Sequence, residues 1–220
     1  MNIPKTITPE LAEETGWHIG DGSMNYYVNG NKKKGLYQLR GHKLDDVEHY
    51  NSRIKTLYKS LFEIDIPLRL MDSTGVYGFQ IWSNKLVDFK TELGLPTGKK
   101  NEISIPKLFL NNKELTKSII RGIFDTDGCL YLQKRYNKLY PRIKIVTTSK
   151  KLAKQLKEQI IQLGIRATSY ECKRKNLNWK PLQSIEVRGI VETEKWFSII
   201  KPKNPKFIKK YNYLKQSLLL

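Results

Sequence analysis

The sequence predicts an α+β protein built from two pseudo-symmetric αββαββα repeats, and three observations predict it. A short phrase occurs twice, as Gly16-Trp17-His18-Ile19-Gly20-Asp21-Gly22 and as Gly122-Ile123-Phe124-Asp125-Thr126-Asp127-Gly128. The same order of helix-like and strand-like patterns follows each copy. The chain has 220 residues, 39% of them hydrophobic, which is enough to bury a core arranged as two similar halves. On this reading residues 1–94 form the first repeat, 95–113 a linker, and 114–220 the second repeat with a basic C-terminal tail.

In the first repeat, Pro9 followed by Glu10, Leu11, Ala12 and Ile19 reads as a helix. Thr8 is its N-cap, and proline takes the first helical position, where its missing N–H has no partner to lose. The helix stops by Gly22. Met24 to Val28 and Leu36 to Gly41 read as strands, joined by Asn29-Gly30-Asn31 and a Lys32-Lys33-Lys34 turn. Asp45 to Phe62 keeps helical spacing through Val47, Ile54, Leu57 and Leu61. Leu68 to Met71 and Val76 to Trp82 form a second hairpin around Ser73-Thr74-Gly75, and Asn84 to Leu93 closes the repeat as a short helix.

The second repeat gives the same order. Thr116 to Asp125 is helical, and Cys129 to Arg135 and Arg142 to Thr148 are strands, with Cys129 expected as a small apolar core residue. Ser149 caps a helix whose apolar stripe is Leu152, Leu156, Ile160 and Leu163, and Gly164 ends it. Arg166 to Lys173 and Leu182 to Arg188 make the second hairpin, and Glu192 to Ile200 closes the repeat. The segment between the repeats, Leu95 to Lys113, is rich in Lys, Asn, Gly and Pro and reads as the linker.

Charge narrows the partner. Forty Lys and Arg against twenty-one acids give a formal net charge of +19, which points to a polyanion. Residues 129–185 carry fourteen Lys and Arg against Glu158 and Glu171, and the last twenty residues add six lysines and no acid. Strands such as Arg142-Ile143-Lys144-Ile145-Val146 alternate basic or polar residues with apolar ones, so one face meets a core and the other carries cations. No apolar run approaches the ~20 residues that span a bilayer, and no charged-then-apolar leader opens the chain, so membrane is not the expected partner. Cys129 and Cys172 form no CxxC pair, in keeping with a reducing compartment. The expected location is intracellular, in cytoplasm or nucleoid, or else in an organelle.

Two sheets of this kind form a saddle, and a two-stranded ribbon fits the major groove of B-DNA, where each base pair shows a distinct donor and acceptor pattern. Double-stranded DNA is therefore the expected partner. Its candidate contacts are Lys32, Lys34, Gln38, Arg40 and Gln80 in the first half and Lys134, Arg135, Arg142, Lys144, Lys173 and Arg188 in the second. Tyr26, Tyr27 and Tyr37 keep a single-stranded or RNA partner as the alternative.

The repeated phrase carries the chemistry. Asp21 and Asp127 each end an apolar helix just before a glycine. Two such helices packed side by side bring both carboxylates together as a shared divalent-metal site. Gly16 and Gly20 lie on one helical face, as do Gly122 and Thr126, so small residues at four-residue spacing let the two backbones approach. Asp125 points to a different face from Asp127 and reads as a polar partner at the helix end. Three histidines with no paired spacing make no zinc site.

The two phrases resemble the motif of the LAGLIDADG homing endonucleases, two-motif single-chain type. Ile120 to Gly128 keeps the motif's glycine, its first Asp and its final Asp-Gly, while the first copy keeps Gly16 and Gly20-Asp21-Gly22 with Ile19 at the first Asp position. Gly41-His42 before the long helix, and Leu95-Pro96-Thr97-Gly98-Lys99-Lys100 after the first half, extend the likeness. The resemblance implies a monomer whose motif helices pack at the centre of a DNA-binding saddle. Asp21 and Asp127 would bind Mg2+, a site that Mn2+ or Ca2+ could also occupy, aided by the carbonyls of Gly20 and Thr126. It also implies basic helpers near each scissile phosphate, matched by position to Lys100 (or its neighbour Lys99) and Lys206, while His42 is a lesser candidate for orienting water. The implied activity is a double-strand break in a long asymmetric DNA target, with 5′-phosphate and 3′-hydroxyl products, by an intron-encoded or free-standing protein. The competing readings are an intron RNA maturase and a catalytically inactive DNA-binding relative.

Overall fold

The computed structural model describes residues 1–71, 75–135, 138–176 and 178–218. Helix α1 spans Pro9–Gly20, and the Thr8 side chain accepts the Leu11 N–H at its start. Strands β1 (Gly22–Asn29) and β2 (Lys32–His42) follow as an antiparallel hairpin. Its loop is Gly30-Asn31, with Gly30 at φ 58°, so the three lysines expected in the turn already belong to β2. Next come α2 (Val47–His49), a π-helical turn (Tyr50–Ile54) and α3 (Lys55–Phe62), one continuous helix in which the wide turn rephases the stripe so that Tyr50, Ile54, Leu57, Tyr58 and Phe62 are all buried. Strands β3 (Arg69–Met71) and β4 (Val76–Trp82) and helix α4 (Asn84–Glu92) complete the repeat. The Ser73-Thr74 hairpin tip lies outside the described residues.

The second repeat runs α5 (Lys113–Asp127), β5 (Gly128–Arg135), β6 (Lys138–Thr147), α6 (Lys150–Gln162), β7 (Thr168–Cys172), β8 (Leu182–Arg188) and α7 (Ile190–Ile199). Ser149 accepts the Leu152 N–H at the start of α6, and Gly164 follows its end at φ 85°. Each repeat builds a four-stranded antiparallel sheet of the same order, β1-β2-β4-β3 and β5-β6-β8-β7. The registers correspond: Gly22 pairs with Leu39 and Leu39 with Phe79, as Gly128 pairs with Ile145 and Ile145 with Ile185.

Two local expectations change and one gains detail. The C-terminal tail folds as helix α8 (Pro205–Leu218), with Asn204 accepting the Lys206 N–H at its start and Phe207 and Leu214 buried. The segment read as the linker packs on the core as it connects the repeats: Leu95, Ile103, Ile105 and Phe109 are buried, and Lys107–Phe109 is a 3-10 turn. Cys129 is exposed, because strand alternation assigns the core side to Leu130.

At the centre α1 packs on α5 with almost no side chain between them. A Cβ on Gly122 would stand 2.1 Å from the Glu13 carbonyl oxygen, and one on Gly16 would stand 2.4 Å from the Ile119 carbonyl oxygen. The glycines are thus required by backbone contact, which lets both helices end side by side.

Candidate active site at the ends of the central helices

The two motif acids sit where α1 and α5 finish. Asp21 caps α1, its N–H reaching the Trp17 carbonyl at 2.9 Å, and Asp127 is the last residue of α5. A Cβ on Gly20 would lie 2.1 Å from Thr126 Oγ1 and 3.4 Å from Asp127 Cγ, so the helix ends are in contact. The Asp21 carboxyl is pushed up to about 8 by burial, then by the charges of Asp127 and Asp46, against the pull of Lys100 and Lys206. Burial also raises Asp127, although its side chain reaches solvent, and the same two lysines oppose the shift. Asp21 Oδ2 is buried without a hydrogen-bond partner. Two close carboxylates, one with an orphaned oxygen, make a place that gains from a cation.

The lysines already answer part of that demand. Lys100 Nζ donates to the carbonyls of Gly20 (2.5 Å), Ile19 (3.0 Å) and His18 (3.2 Å). Its ammonium is therefore the stand-in cation at the negative end of the α1 dipole. It takes the Gly20 carbonyl expected as a metal ligand, whereas the Thr126 hydroxyl turns back to the Gly122 and Ile123 carbonyls of its own helix. Burial lowers the Lys100 pKa, and Asp127 and Asp21 raise it. Beside it, a cleft of about 260 Å³ is lined by Gly20, Lys100, Asp127, Thr147 and Arg174, among others. Lys206 reaches the centre differently, through Asp46 Oδ1 at 2.7 Å. His42 Nδ1 accepts the Asp45 N–H at 3.3 Å, forming the turn into α2.

Asp46 was not foreseen as a site residue. It is 4% exposed and accepts from Asn204 Nδ2 at 2.9 Å and from the His42 N–H at 2.8 Å as well as from Lys206. Asn204 Nδ2 also donates to the Asp125 carbonyl, and Asp125 Oδ2 accepts the Lys203 N–H. Asp125 thus anchors the loop before α8, and Ile19, its counterpart in the first copy, is buried apolar core. The available signal was Asn204-Pro205, an N-cap followed by proline, with Phe207, Tyr211 and Leu214 at helical spacing behind it.

No group of three or more His, Cys, Asp and Glu converges as a metal cluster among the described residues. The protein would thus bring two carboxylates and backbone carbonyls, leaving other positions to water and phosphate. That donor set fits magnesium, a hard cation that keeps several waters.

The sheets sort the candidate DNA contacts by face. Tyr37, Leu39 and Phe79 are core, so alternation sets Lys32, Lys34, Gln38, Arg40 and Gln80 on the open face, where Gln38 Nε2 donates to Gln80 Oε1 at 3.0 Å. In the second sheet Ile143, Ile145, Ile185 and Val187 are core and Arg142, Lys144 and Arg188 are open. Lys134 shares the parity of buried Leu130 and lies toward the helix side, so it does not join them. The Arg135 side chain lies outside the described set, and exposed Lys173 follows the end of β7. Tyr37 is fully buried with its hydroxyl near Glu14, so it offers no platform for a base. No helix among the described residues is long and apolar enough to cross a membrane.

Residues 114–196 match the family described as the LAGLIDADG-like domain. Glutamine–fructose-6-phosphate aminotransferase (isomerizing) of Methanocaldococcus jannaschii is 29% identical over 205 residues, 91% of this chain but 16% of that protein, so the chain spans about one sixth of this relative. The replicative DNA helicase DnaB of Rhodothermus marinus is 31% identical over 85 residues, 38% of this chain and 9% of that protein. Among solved structures, a mesophilic variant of the homing endonuclease I-DmoI superposes with a TM-score of 0.64 at 15% identity, covering 87% of this chain and 95% of that one. I-DmoI in complex with DNA and Mn gives 0.62 at 17% identity over 87% and 96%, and the LAGLIDADG meganuclease I-AabMI bound to uncleaved DNA gives 0.61 at 12% identity over 97% and 91%. Residues 114–196 thus match a LAGLIDADG-like domain, and the chain as a whole has the fold of these single-chain LAGLIDADG homing endonucleases.

Proposed function

We propose that this chain is a monomeric, divalent-metal-dependent homing endonuclease that makes a double-strand break in a long asymmetric DNA target. The observation that carries the reading is the pair Asp21 and Asp127 at touching helix ends, with an unpartnered buried carboxylate oxygen and two lysines around them. Asp21 and Asp127, with the Gly20 and Thr126 carbonyls, would hold magnesium, with manganese or calcium as substitutes; when bound, the ion supplies the Lewis acidity that phosphodiester hydrolysis needs. The open sheet faces bind the duplex and orient it so that one phosphate of each strand lies over the helix ends. Lys100 and Lys206 place positive charge where the reacting phosphate becomes more negative. Lys100 leaves its helix-end carbonyls to do so, and Lys206 turns from Asp46. Because both acids belong to one chain with unlike neighbours, a single molecule suits a non-palindromic site and expected products with 5′-phosphate and 3′-hydroxyl ends.

The test is selection for cleavage from a randomised duplex library in magnesium. Recovery of one long site cut on both strands is expected. A protein that binds duplex DNA yet cuts no member of the library is an inactive relative. Tight intron-RNA binding that outcompetes DNA and needs neither Asp makes it a maturase.

A further inference from the structure

The two open sheet faces occupy equivalent registers but differ in chemistry. At one lattice point the first sheet pairs Gln38 with Gln80 and the second pairs Lys144 with Glu186; at the next it pairs Leu36 with Trp82 and the second pairs Arg142 with Arg188. Two arginines directly opposite each other on a sheet repel. Glu186 removes that repulsion: its Oε2 accepts from Arg188 Nε at 2.8 Å and from Arg142 Nη1 at 3.1 Å, Lys144 Nζ lies 3.7 Å from its Oε1, and the Tyr170 hydroxyl donates to Oε1. Glu186 is 2% exposed although it stands on the sheet face opposite the core residues Ile185 and Val187, buried beneath the cations it gathers. Burial alone would raise its pKa, but Tyr170, Arg188 and Lys144 outweigh that and hold it below the usual carboxylate range, so it is ionised at neutral pH. Arg188 is engaged through Nε, which leaves both terminal nitrogens available, and its side chain is 48% exposed.

We propose that Glu186 is a specificity-positioning residue: it fixes Arg188, with Arg142 beside it, as a reader of guanine edges in the target arm under the second sheet, while exposed Trp82, backed by the buried Leu36, makes the equivalent point of the first sheet an apolar reader of thymine methyls. The proposal rests on the duplex-DNA reading above. A guanidinium with two free N–H groups matches the O6 and N7 acceptors of guanine, and an apolar contact matches the C5-methyl of thymine. The carboxylate also subtracts one charge where non-specific phosphate attraction would otherwise dominate. Glu186 thus exchanges general affinity for base discrimination.

The experiment is selection of bound duplexes from a randomised library in calcium, by gel shift, followed by sequencing of both arms. Wild type should show at least ten-fold preference for guanine at a position under the second sheet and none for guanine at the matching position under the first. Glu186→Gln should lower that preference at least five-fold, leave the first arm unchanged, and raise affinity for random DNA with a steeper salt dependence. The double variant Arg142→Leu, Arg188→Trp, which copies the first sheet's residues without touching Glu186, should replace guanine with thymine at that position, so the proposal stays testable if Glu186→Gln does not fold. Clear base preference in the first arm with no guanine preference in the second overturns the assignment, as does a Glu186→Gln or double variant that selects the wild-type sequence. Absence of base preference in both arms overturns the duplex-reading function itself.

Discussion

Replacing Asp21 by asparagine should stabilise the metal-free protein at alkaline pH while removing its response to metal. The Asp21 carboxyl is raised from 3.8 to about 8, first by burial and then by Asp127 and Asp46. A folded-state pKa above the unfolded one means that the group's contribution is complete below about pH 4 and is lost as pH rises through about 8. At ~1.4 kcal/mol per pKa unit the full shift corresponds to about 6 kcal/mol, and screening at a partly exposed carboxyl reduces this to about 2–3 kcal/mol. For a chain of this length that is a melting-temperature rise of about 5–10 °C. The assay is thermal unfolding of wild type and Asp21→Asn in EDTA at about pH 5 and about pH 8.5, repeated with magnesium. Asp21→Asn should melt higher than wild type at the alkaline pH and by a much smaller margin at the acid one, because folded Asp21 is protonated there and resembles the amide while the unfolded carboxyl has only begun to gain from ionisation. Magnesium at a hundred times its Kd should stabilise wild type by about 3 kcal/mol and leave the variant unmoved. Equal melting of the two proteins at alkaline pH, or an equal magnesium response, would refute the reasoning.

Other perturbations separate the scaffold from the site. Gly122→Ala places a Cβ 2.1 Å from the Glu13 carbonyl oxygen, where backbone cannot yield, and should lower stability by about 3 kcal/mol in urea unfolding. Glu13→Gln leaves Arg53 and Arg121 facing a neutral amide in place of their shared, 1% exposed carboxylate, and should lower stability by about 3 kcal/mol, measured the same way. Lys100→Met should slow cleavage by about 100-fold at saturating DNA with little change in Kd, read from single-turnover kinetics beside gel shifts.

Much of this was legible because the fold is written twice. The helix caps Thr8 and Ser149, the αL glycine Gly164 and the small residues Gly16 and Gly122 are local chemistry, and each stands in the structure as its residue type dictates. Strand parity was less secure: Lys134 and Arg135 are sequence neighbours, so both could not share one face, and Cys129 had to yield the core to Leu130. Asp46 and Glu186 were hidden for a different reason. Their partners lie at long sequence separation or across a sheet, as with Asp46 and Lys206 or Glu186 and Arg142, and no periodicity announces a carboxylate that organises cations. Helix α8 did have a local signal in Asn204-Pro205, which the run of lysines around it obscured.

The most direct test of the shared centre is magnesium-dependent cleavage of the selected duplex by wild type, Asp21→Asn and Asp127→Asn, with Kd measured on the same samples. Wild type should cut both strands, and each variant should bind at least as tightly and make no double-strand break, since an amide removes charge that repels phosphate without removing a phosphate contact. Double-strand cleavage that survives either substitution would contradict the account.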